Sequence, residues 1–362
     1  MTRAPSGETE MAPLVSPAPE AASPAPWRHK DRPIFLHSLW RTGSTYLWSR
    51  FRAAAGTRCY YEPLHDGLAR LTRQRIARGT LEVIEQNNHP RLNDPYFSEF
   101  GPLVSGRGVR GYRRRFAYSR FILQPADHDP ELQAYMAGLI GAARRDGRVA
   151  VLGMNRSDLR VSWMRSRFQS YDISLDREPA DVFSSYISQM YKGNYYYFTK
   201  LMLIVELNRR HEIFAPLAER LTLRSATEQL LVSPKDFYRV VLDSMSRENL
   251  YALTLYIWAV RSLHALSACD LIVDLALADR RGYRDDIAER IAADCGLDID
   301  FSDMQTAQPE TSIRLAQQKA VERELLEILP IDALRPFIDR ERLAKRMADL
   351  APRKIGLLAR AL

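Results

Sequence analysis

The sequence predicts an α/β protein with a central, largely parallel sheet flanked by helices. Strand-like and helix-like segments alternate from Pro33 onwards, and the chain carries no internal repeat. Such alternation is typical of parallel strands that are joined by crossover helices. The 362 residues, of which 46% are hydrophobic, suffice to bury the core of one large domain or of two ordinary ones.

The predicted elements follow in a regular order. A buried strand at residues 34–37 leads into a helix at 44–55, and a second strand covers 58–61. Residues 87–124 are turn-rich and are expected to wrap over the surface, while 194–247 is expected to be a helical insertion. The remaining helices are predicted at 130–145, 158–168, 180–191 and 248–267, and the remaining strands at 148–154, 170–176 and 270–275. The C-terminal part that follows is mostly helical.

Composition indicates a soluble cytoplasmic protein. The first 26 residues are rich in Pro, Ala, Ser and Glu without a continuous apolar core, which predicts a disordered tail and not a signal peptide. No uncharged apolar run reaches the roughly 18 residues of a membrane span. Cys59, Cys269 and Cys295 are too few and too scattered for a disulfide framework or a zinc site, and they favour a reducing compartment.

The net charge of +8 favours acidic ligands. The densest basic cluster, VRGYRRRF at residues 109–116, is too short for a nucleic-acid footprint and indicates a solvated face or an anion contact. Because no DNA- or RNA-recognition module accompanies it, nucleic acid is not an expected partner.

The stretch WRTGSTYL follows the first strand and predicts an anion-binding turn. A strand–turn–helix junction of small residues aims backbone N–H groups and the positive helix end at one spot, which suits phosphate or sulfate. The usual nucleotide-binding loop reads G-x-x-x-x-G-K-[ST]. Aligned on Gly43 and Thr45, this chain has Ser38 at the first glycine and Ser44 at the lysine, and its nearest cation is Arg41. On its own the turn is either an anion site or a plain chain reversal.

A second candidate loop follows the strand SYDISLD. Arg177 comes at the strand end, Pro179 suits the first turn of the next helix, and Ser185 lies about two helical turns on. Arg177 offers a fork that can hold a phosphate bidentately, although it could equally be an ion-paired surface residue. Because both loops follow strands of one parallel sheet, they can share a crevice. Together they indicate a ligand with two separated anionic groups.

Both loops resemble motifs of the sulfotransferases that use 3′-phosphoadenosine 5′-phosphosulfate (PAPS). WRTGSTYL resembles the 5′-phosphosulfate loop of that family, and LDREPADVFSSY resembles its 3′-phosphate motif R-x-P-x-D-x-x-x-S-Y. The likeness covers residues 33–186 and continues more weakly through LIVDLALADR and GLDIDFSDM. It implies a P-loop NTPase-like sulfotransferase fold over residues 27–362 and a reaction without a metal ion.

The resemblance also implies a role for each matched residue. The 5′-phosphosulfate would be held by Arg41, Thr42, Gly43, Ser44 and Thr45. Arg177 and Ser185 would hold the 3′-phosphate, and 3′-phosphoadenosine 5′-phosphate (PAP) would be released. A guanidinium at the oxygen that bridges phosphate and sulfate would stabilise the charge that builds there.

The segment CYYEPLHD resembles the E-P-L segment of the carbohydrate sulfotransferases, the nearest branch, in which the glutamate is the proposed base. That likeness gives Glu62 the role of base, with His65 as a second candidate. Each also has a structural interpretation: Glu62 as a charge that favours the EPLHDG turn, and His65 as a hydrogen-bonded turn histidine. The carbohydrate enzymes of animals have a membrane anchor that this chain lacks, so their location does not carry over, and a carbohydrate is only one candidate for the acceptor.

Two further groups of residues are weaker candidates for contact with the donor or the acceptor. Arg156 and Ser157 could reach the phosphosulfate or the acceptor, or Ser157 could instead cap the next helix. Tyr195, Tyr196 and Tyr197 could stack on an adenine or a sugar, or pack in the core or a lid.

The expected function is transfer of a sulfuryl group from PAPS to a hydroxyl acceptor, for which a carbohydrate is a candidate. One alternative is a P-loop phosphotransferase that uses ATP, although Ser44 replaces the lysine and VAVLGM is not followed by a Mg²⁺-holding acid. The other is a non-catalytic nucleotide- or anion-binding protein. The sequence identifies neither the acceptor nor the oligomeric state.

Overall fold

The computed structural model describes residues 32–78, 92, 94–106, 108–221, 240–306, 316–360 and 362. Its centre is a five-stranded sheet, and every strand pair in it is parallel. The predicted α/β class with a central parallel sheet flanked by helices is therefore confirmed. Its strands are β1 (Ile34–His37), β2 (Thr57–Tyr61), β5 (Val149–Met154), β6 (Tyr171–Asp176) and β7 (Leu271–Asp274). Across the sheet they lie in the order β2-β5-β1-β6-β7.

Helices and a small hairpin connect these strands. The antiparallel hairpin of β3 (Val104–Ser105) and β4 (Gly108–Val109) lies between β2 and β5 in the chain. The helices that the argument uses are α1 (Ser44–Ala53), α2 (Pro130–Arg145), α3 (Val161–Phe168), α4 (Pro179–Tyr191), α5 (Tyr196–Leu207), α6 (Ala215–Arg220), α7 (Arg247–Ala268), α8 (Tyr283–Cys295), α9 (Gln318–Glu327), α10 (Ile331–Leu334), α11 (Arg340–Arg346) and α12 (Pro352–Leu358).

The two faces of the sheet are buried against different helices. Alternate residues of a strand point to opposite faces. In β1, Ile34 and Leu36 pack in one cluster with side chains of α1 and α8, whereas Phe35 packs in another with side chains of α2 and α3. This explains why the short strands read as continuous apolar runs: both faces are covered.

A third apolar cluster is centred on α7. Every residue of that helix from Leu250 to Ala268 is buried, as expected for a helix surrounded by other elements. Side chains of α4, α5, α9 and α11 belong to the same cluster. The predicted insertion at 194–247 contributes α5 and α6 to it, and residues 222–239 lie outside the described part.

Several element boundaries test the predictions. β1 and α2 have the predicted ends, while α1 ends at Ala53 and α3 begins only at Val161. The predicted tail at 1–26 lies outside the described residues, as do parts of 87–124.

All three cysteines are buried and free, so the predicted lack of a disulfide framework is confirmed. Within the described ranges no helix combines the length and the apolar character needed to cross a membrane.

Because the five strands are parallel, their carboxyl ends meet at one edge. In open parallel sheets this edge, at the point where the strand order reverses, is where ligands bind. Two non-glycine residues with left-handed backbone lie in its loops, Arg41 with φ 63° and Glu62 with φ 41°. Such backbone is sparsely populated and clusters at functional sites.

Candidate active site

The loop from Ser38 to Gly43 joins β1 to the N-terminus of α1. Gly43 is the N-cap residue with φ 86°, a conformation that glycine adopts without a steric penalty. A Cβ at this position would lie 2.7 Å from Leu275 Cδ1, so the end of the Leu275 side chain would have to shift. The Thr42 hydroxyl donates to Leu39 O at 2.6 Å and closes the turn. The loop thus brings the positive end of α1 to the carboxyl edge of the sheet.

The loop after β6 meets this first loop directly. Arg41 Nε donates to Ser185 Oγ at 3.0 Å. Arg177 Nη1 donates to the Arg41 carbonyl oxygen at 2.9 Å, across 136 residues of chain. Pro179 occupies the first turn of α4, as predicted. The two candidate anion loops therefore share one crevice, as their positions after parallel strands predict.

The crevice concentrates positive charge. The Arg41 guanidinium lies 5.7 Å from the Tyr197 ring centroid, and Tyr197 stacks on Tyr186 at 5.3 Å. Burial lowers the pKa of Arg177; Asp181 opposes this shift and the charge of Arg41 adds to it. Two guanidinium groups that repel each other beside a helix N-terminus form a site that an anion stabilises.

The other predicted loop residues line the same junction. Ser44 and Thr45 form the first turn of α1, whose leading N–H groups have no partner inside the helix. Thr45 Oγ1 and Tyr61 Oη share a hydrogen bond of 3.2 Å, which ties α1 to the end of β2. Ser38 Oγ donates to Asn155 Oδ1 at 2.6 Å and ties the loop to the end of β5.

Glu62 follows β2 and is 6% exposed. Asn155 Nδ2 donates to its Oε1 at 2.9 Å, and Arg156 Nη1 donates to its Oε2. The carboxylate is therefore held from two sides by the loop between β5 and α3. It forms an ion pair with Arg156, so its role extends beyond a charge that favours the local turn.

His65 is the turn histidine that its structural interpretation predicts. Its Nδ1 accepts from the Gly67 N–H at 2.9 Å, and its Nε2 lies 3.3 Å from the Tyr196 hydroxyl. Burial, followed by the charge of Arg156, lowers the pKa of His65 to about 4. Because Nδ1 accepts a hydrogen bond, the neutral ring carries its proton on Nε2. Neither nitrogen then has a free lone pair, and the geometry favours Glu62 over His65 as the base.

The loop after β5 differs from both expectations for it. Arg156 is fully buried, so its guanidinium does not reach a ligand in the crevice. The expectation that Ser157 caps the next helix is wrong: α3 has Arg160 as its N-cap residue, without a side-chain cap. Ser157 Oγ instead bonds His37 Nδ1 at 2.7 Å, and His37 Nε2 bonds Asp172 at 3.0 Å. Ser157 is thus part of a buried polar network.

Helix α5 supplies one site residue that the sequence pattern did not single out, Lys200. Lys200 Nζ lies 3.6 Å from Asp66 Oδ2 and 4.9 Å from the Tyr196 ring centroid. Tyr196 and Lys200 are four residues apart and so lie on one face of the helix, which is the signal that could have identified Lys200. Tyr197 packs beside Arg41, whereas the Tyr195 hydroxyl donates to Asp243 at 2.6 Å.

The basic cluster at 109–116 forms an ion-paired face. Arg115 makes two hydrogen bonds of 2.8 Å to the Asp129 carboxylate, and Arg113 pairs with Glu131 at 3.4 Å. These pairs agree with the interpretation of a solvated face. In the described part of the chain no three His, Cys, Asp or Glu side chains form a group that could hold a metal ion.

Fold and site together define an α/β protein with a cationic crevice at the carboxyl edge of a parallel sheet. Comparison of the chain with protein-family models, with curated proteins and with solved structures finds no match.

Proposed function

We propose that this protein is a sulfotransferase that moves a sulfuryl group from PAPS to a hydroxyl acceptor. The observation that carries the proposal is the contact between the two anion loops, through Arg41 with Ser185 and Arg177 with the Arg41 carbonyl. The strand order β2-β5-β1-β6-β7, with the first loop running from β1 into a helix N-terminus, supports a P-loop NTPase-like sulfotransferase fold.

The residues at this edge fit such a ligand. The phosphosulfate end would lie on Arg41 and the first turn of α1, and the 3′-phosphate on Arg177 and Ser185. Two guanidinium groups and a helix N-terminus complement its negative groups. The left-handed Gly43, which leaves no room for a Cβ, brings the backbone close to the site.

The chain's own residues would supply two catalytic effects. When bound, PAPS supplies the sulfuryl group and departs as PAP. Arg41 would stabilise the electron pair that stays on the bridging oxygen as its bond to sulfur breaks. Glu62 would take the proton of the acceptor hydroxyl as the new oxygen–sulfur bond forms. Each carboxylate oxygen of Glu62 accepts one hydrogen bond, from Asn155 or from Arg156, and keeps one lone pair that this hydrogen bond does not use.

The groups beside Glu62 suit a hydroxyl-rich acceptor such as a carbohydrate. The Tyr196 hydroxyl, Asp66 and Lys200 provide polar and charged hydrogen-bonding groups there. Asp66 and His65 retain 29% and 27% side-chain exposure, so polar groups border the opening towards solvent.

The proposal is tested by turnover with ³⁵S-labelled PAPS and a panel of sugars and simple phenols. We expect PAP release with transfer of label, and a loss of at least about 100-fold in Arg41→Met. Arg50→Met, at the far end of α1, is the matched control and should retain turnover. Consumption of ATP with Mg²⁺ instead of PAPS would favour the phosphotransferase, and anion binding without any turnover would favour a non-catalytic protein.

A further inference from the structure

Arg156 occupies a fully enclosed position behind the crevice. Its guanidinium lies between the rings of Trp40 and Tyr118, with centroid distances of 5.1 and 5.3 Å. Its Nη2 donates to the hydroxyls of Tyr196 at 3.0 Å and Tyr118 at 3.1 Å. A buried guanidinium is costly unless a charge and hydrogen bonds compensate it. Because it is wholly buried, Arg156 must act on the reaction through another residue.

That residue is Glu62, whose carboxylate has little freedom. Arg156 and Asn155, adjacent in one loop, each hold one of its two oxygens. Asn155 in turn accepts from Ser38 at the start of the first anion loop. The left-handed backbone of Glu62, at φ 41°, is a strained conformation that persists where its surroundings impose it. The carboxylate is thus linked to the loop that would bind the phosphosulfate.

The charges around Glu62 make Arg156 its dominant partner. Its own loop contributes His65, which is neutral near pH 7, and Asp66. Helix α5 contributes Lys200, which is paired with Asp66 at 3.6 Å. Arg156 Nη2 also lies 3.5 Å from Asp66 Oδ1, so Arg156 pairs with both carboxylates of this loop. The hydroxyls of Tyr61, Tyr196 and Tyr197 also interact electrostatically with Glu62.

We propose that Arg156 is a positioning residue that holds the Glu62 carboxylate aimed at the acceptor hydroxyl. The inference rests on the proposed function. Arg156 itself touches neither donor nor acceptor: it fixes one oxygen of Glu62 and leaves that oxygen's second lone pair for the proton.

The test compares Arg156→Met with the matched control Arg160→Met. Arg160 is also fully buried, donates to Phe116 O at 2.7 Å, and lies 5.9 Å from the Phe121 ring centroid. The assay is the hydrolysis of PAPS to PAP and sulfate, in which water replaces the unidentified acceptor. Its rate is measured at about pH 7, beside calorimetric titration with PAP.

We expect Arg156→Met to bind PAP within about threefold of the wild type, while its rate at pH 7 falls at least tenfold. The loss should appear in the rate and not in the affinity for PAP, because one of the two held oxygens of Glu62 loses its donor. Arg156→Lys, which can still donate to that oxygen, should recover most of the rate. Arg160→Met should leave the rate unchanged.

A rate in Arg156→Met within about threefold of the wild type, with PAP binding retained, would overturn the inference and leave the proposed function intact. If that variant does not fold, the same criterion applies to Arg156→Gln, whose shorter side chain carries no charge. A wild type that neither binds PAP nor hydrolyses PAPS would overturn the proposed function, and the inference with it.

Discussion

At the scale of single residues, the structure separates the two candidate bases. Glu62 keeps an unused lone pair on each oxygen, whereas the neutral His65 accepts at Nδ1 and carries its proton on Nε2. The proton of the acceptor should therefore go to Glu62.

Glu62→Gln should reduce PAPS hydrolysis by about 100-fold or more, the range for loss of a general base, with unchanged affinity for PAP. His65→Gln should cost less than tenfold, since a glutamine oxygen can still accept from the Gly67 N–H. Initial rates and calorimetry on both variants check this. A His65 variant as impaired as the Glu62 variant would contradict the assignment.

The sequence predicted the location of residues in local motifs better than contacts between distant residues. The positions of Arg41, Gly43 and Arg177 at the carboxyl edge were predictable because each lies in a turn beside a strand end. The contact between Arg156 and Glu62 was not, because the two residues lie 94 apart in the chain and only the sheet order brings them together. Ser157 was misassigned for the same reason, since its partner His37 lies 120 residues away.

At the scale of elements, the turn between β1 and α1 depends on one glycine. Gly43→Ala should lower the free energy of unfolding by about 1–2 kcal/mol from the left-handed backbone alone. Contact with Leu275 adds to that cost, because the new Cβ would lie 2.7 Å from its Cδ1. Urea unfolding of Gly43→Ala, of Leu275→Ala and of the double variant separates the two terms, because the single Leu275→Ala variant gives the cost of truncating this buried leucine. Equal stability of wild type and Gly43→Ala would contradict the strained turn.

The C-terminal helix α12 is joined to the strand ends through a buried lysine. Lys354 Nζ donates to Asp176 at 2.7 Å and also to Asp274, at the carboxyl ends of β6 and β7. Arg177 follows Asp176 directly, so this ion-pair cluster lies beneath the second anion loop.

Lys354→Met should lower the free energy of unfolding by about 3–5 kcal/mol, because it leaves two buried carboxylates without their shared cation. Lys345→Met is the control: this exposed lysine pairs with Glu341 at 2.6 Å on the surface, and its loss should cost less than about 1 kcal/mol. Chemical denaturation of both variants provides the comparison. Similar losses in the two would show that the buried cluster contributes no more than a surface pair.

Element boundaries were predictable where a local signal exists. α2 begins at Pro130 after Asp129, whose side chain accepts from the Leu132 N–H, so capping residues mark its start. The start of α3 has no such signal, because Arg160 provides no side-chain cap. The burial of α7 on all sides arises from elements distant in the chain and is not encoded in its own periodicity.

At the scale of the whole molecule, buried histidines link stability to pH. His264 Nδ1 donates to the Asp158 carbonyl at 2.7 Å, and its Nε2 accepts from Ser162 at 2.8 Å. Burial lowers the pKa of His264 from 6.5 to about 4. Between these values the unfolded chain binds a proton that the folded chain does not, so the stabilising contribution falls as the pH falls.

The difference in unfolding free energy between wild type and His264→Gln should therefore be constant above pH 7 and decrease towards pH 4, by up to about 1.4 kcal/mol per pH unit. Glu178 acts in the opposite direction, because burial raises its pKa to about 7. Glu178 and His65 are present in both the wild type and His264→Gln, so their contributions drop out of the difference between the two proteins. A difference that does not vary with pH would contradict the buried neutral state of His264.

The central claim is that two distant loops form one site for a ligand with a 3′-phosphate. The most direct test is calorimetric titration of PAP and of AMP, which lacks that phosphate, into wild type, Arg177→Met and Arg167→Met. Arg167 is a matched control on α3, where it donates to backbone carbonyls at 3.1 Å.

The account predicts that wild type and Arg167→Met prefer PAP to AMP at least tenfold, and that Arg177→Met loses this preference while its affinity for AMP is unchanged. A charge-assisted hydrogen bond is worth about 1.5–3 kcal/mol, which corresponds to that loss. Equal affinity of the wild type for PAP and AMP, or an undiminished preference in Arg177→Met, would contradict the account.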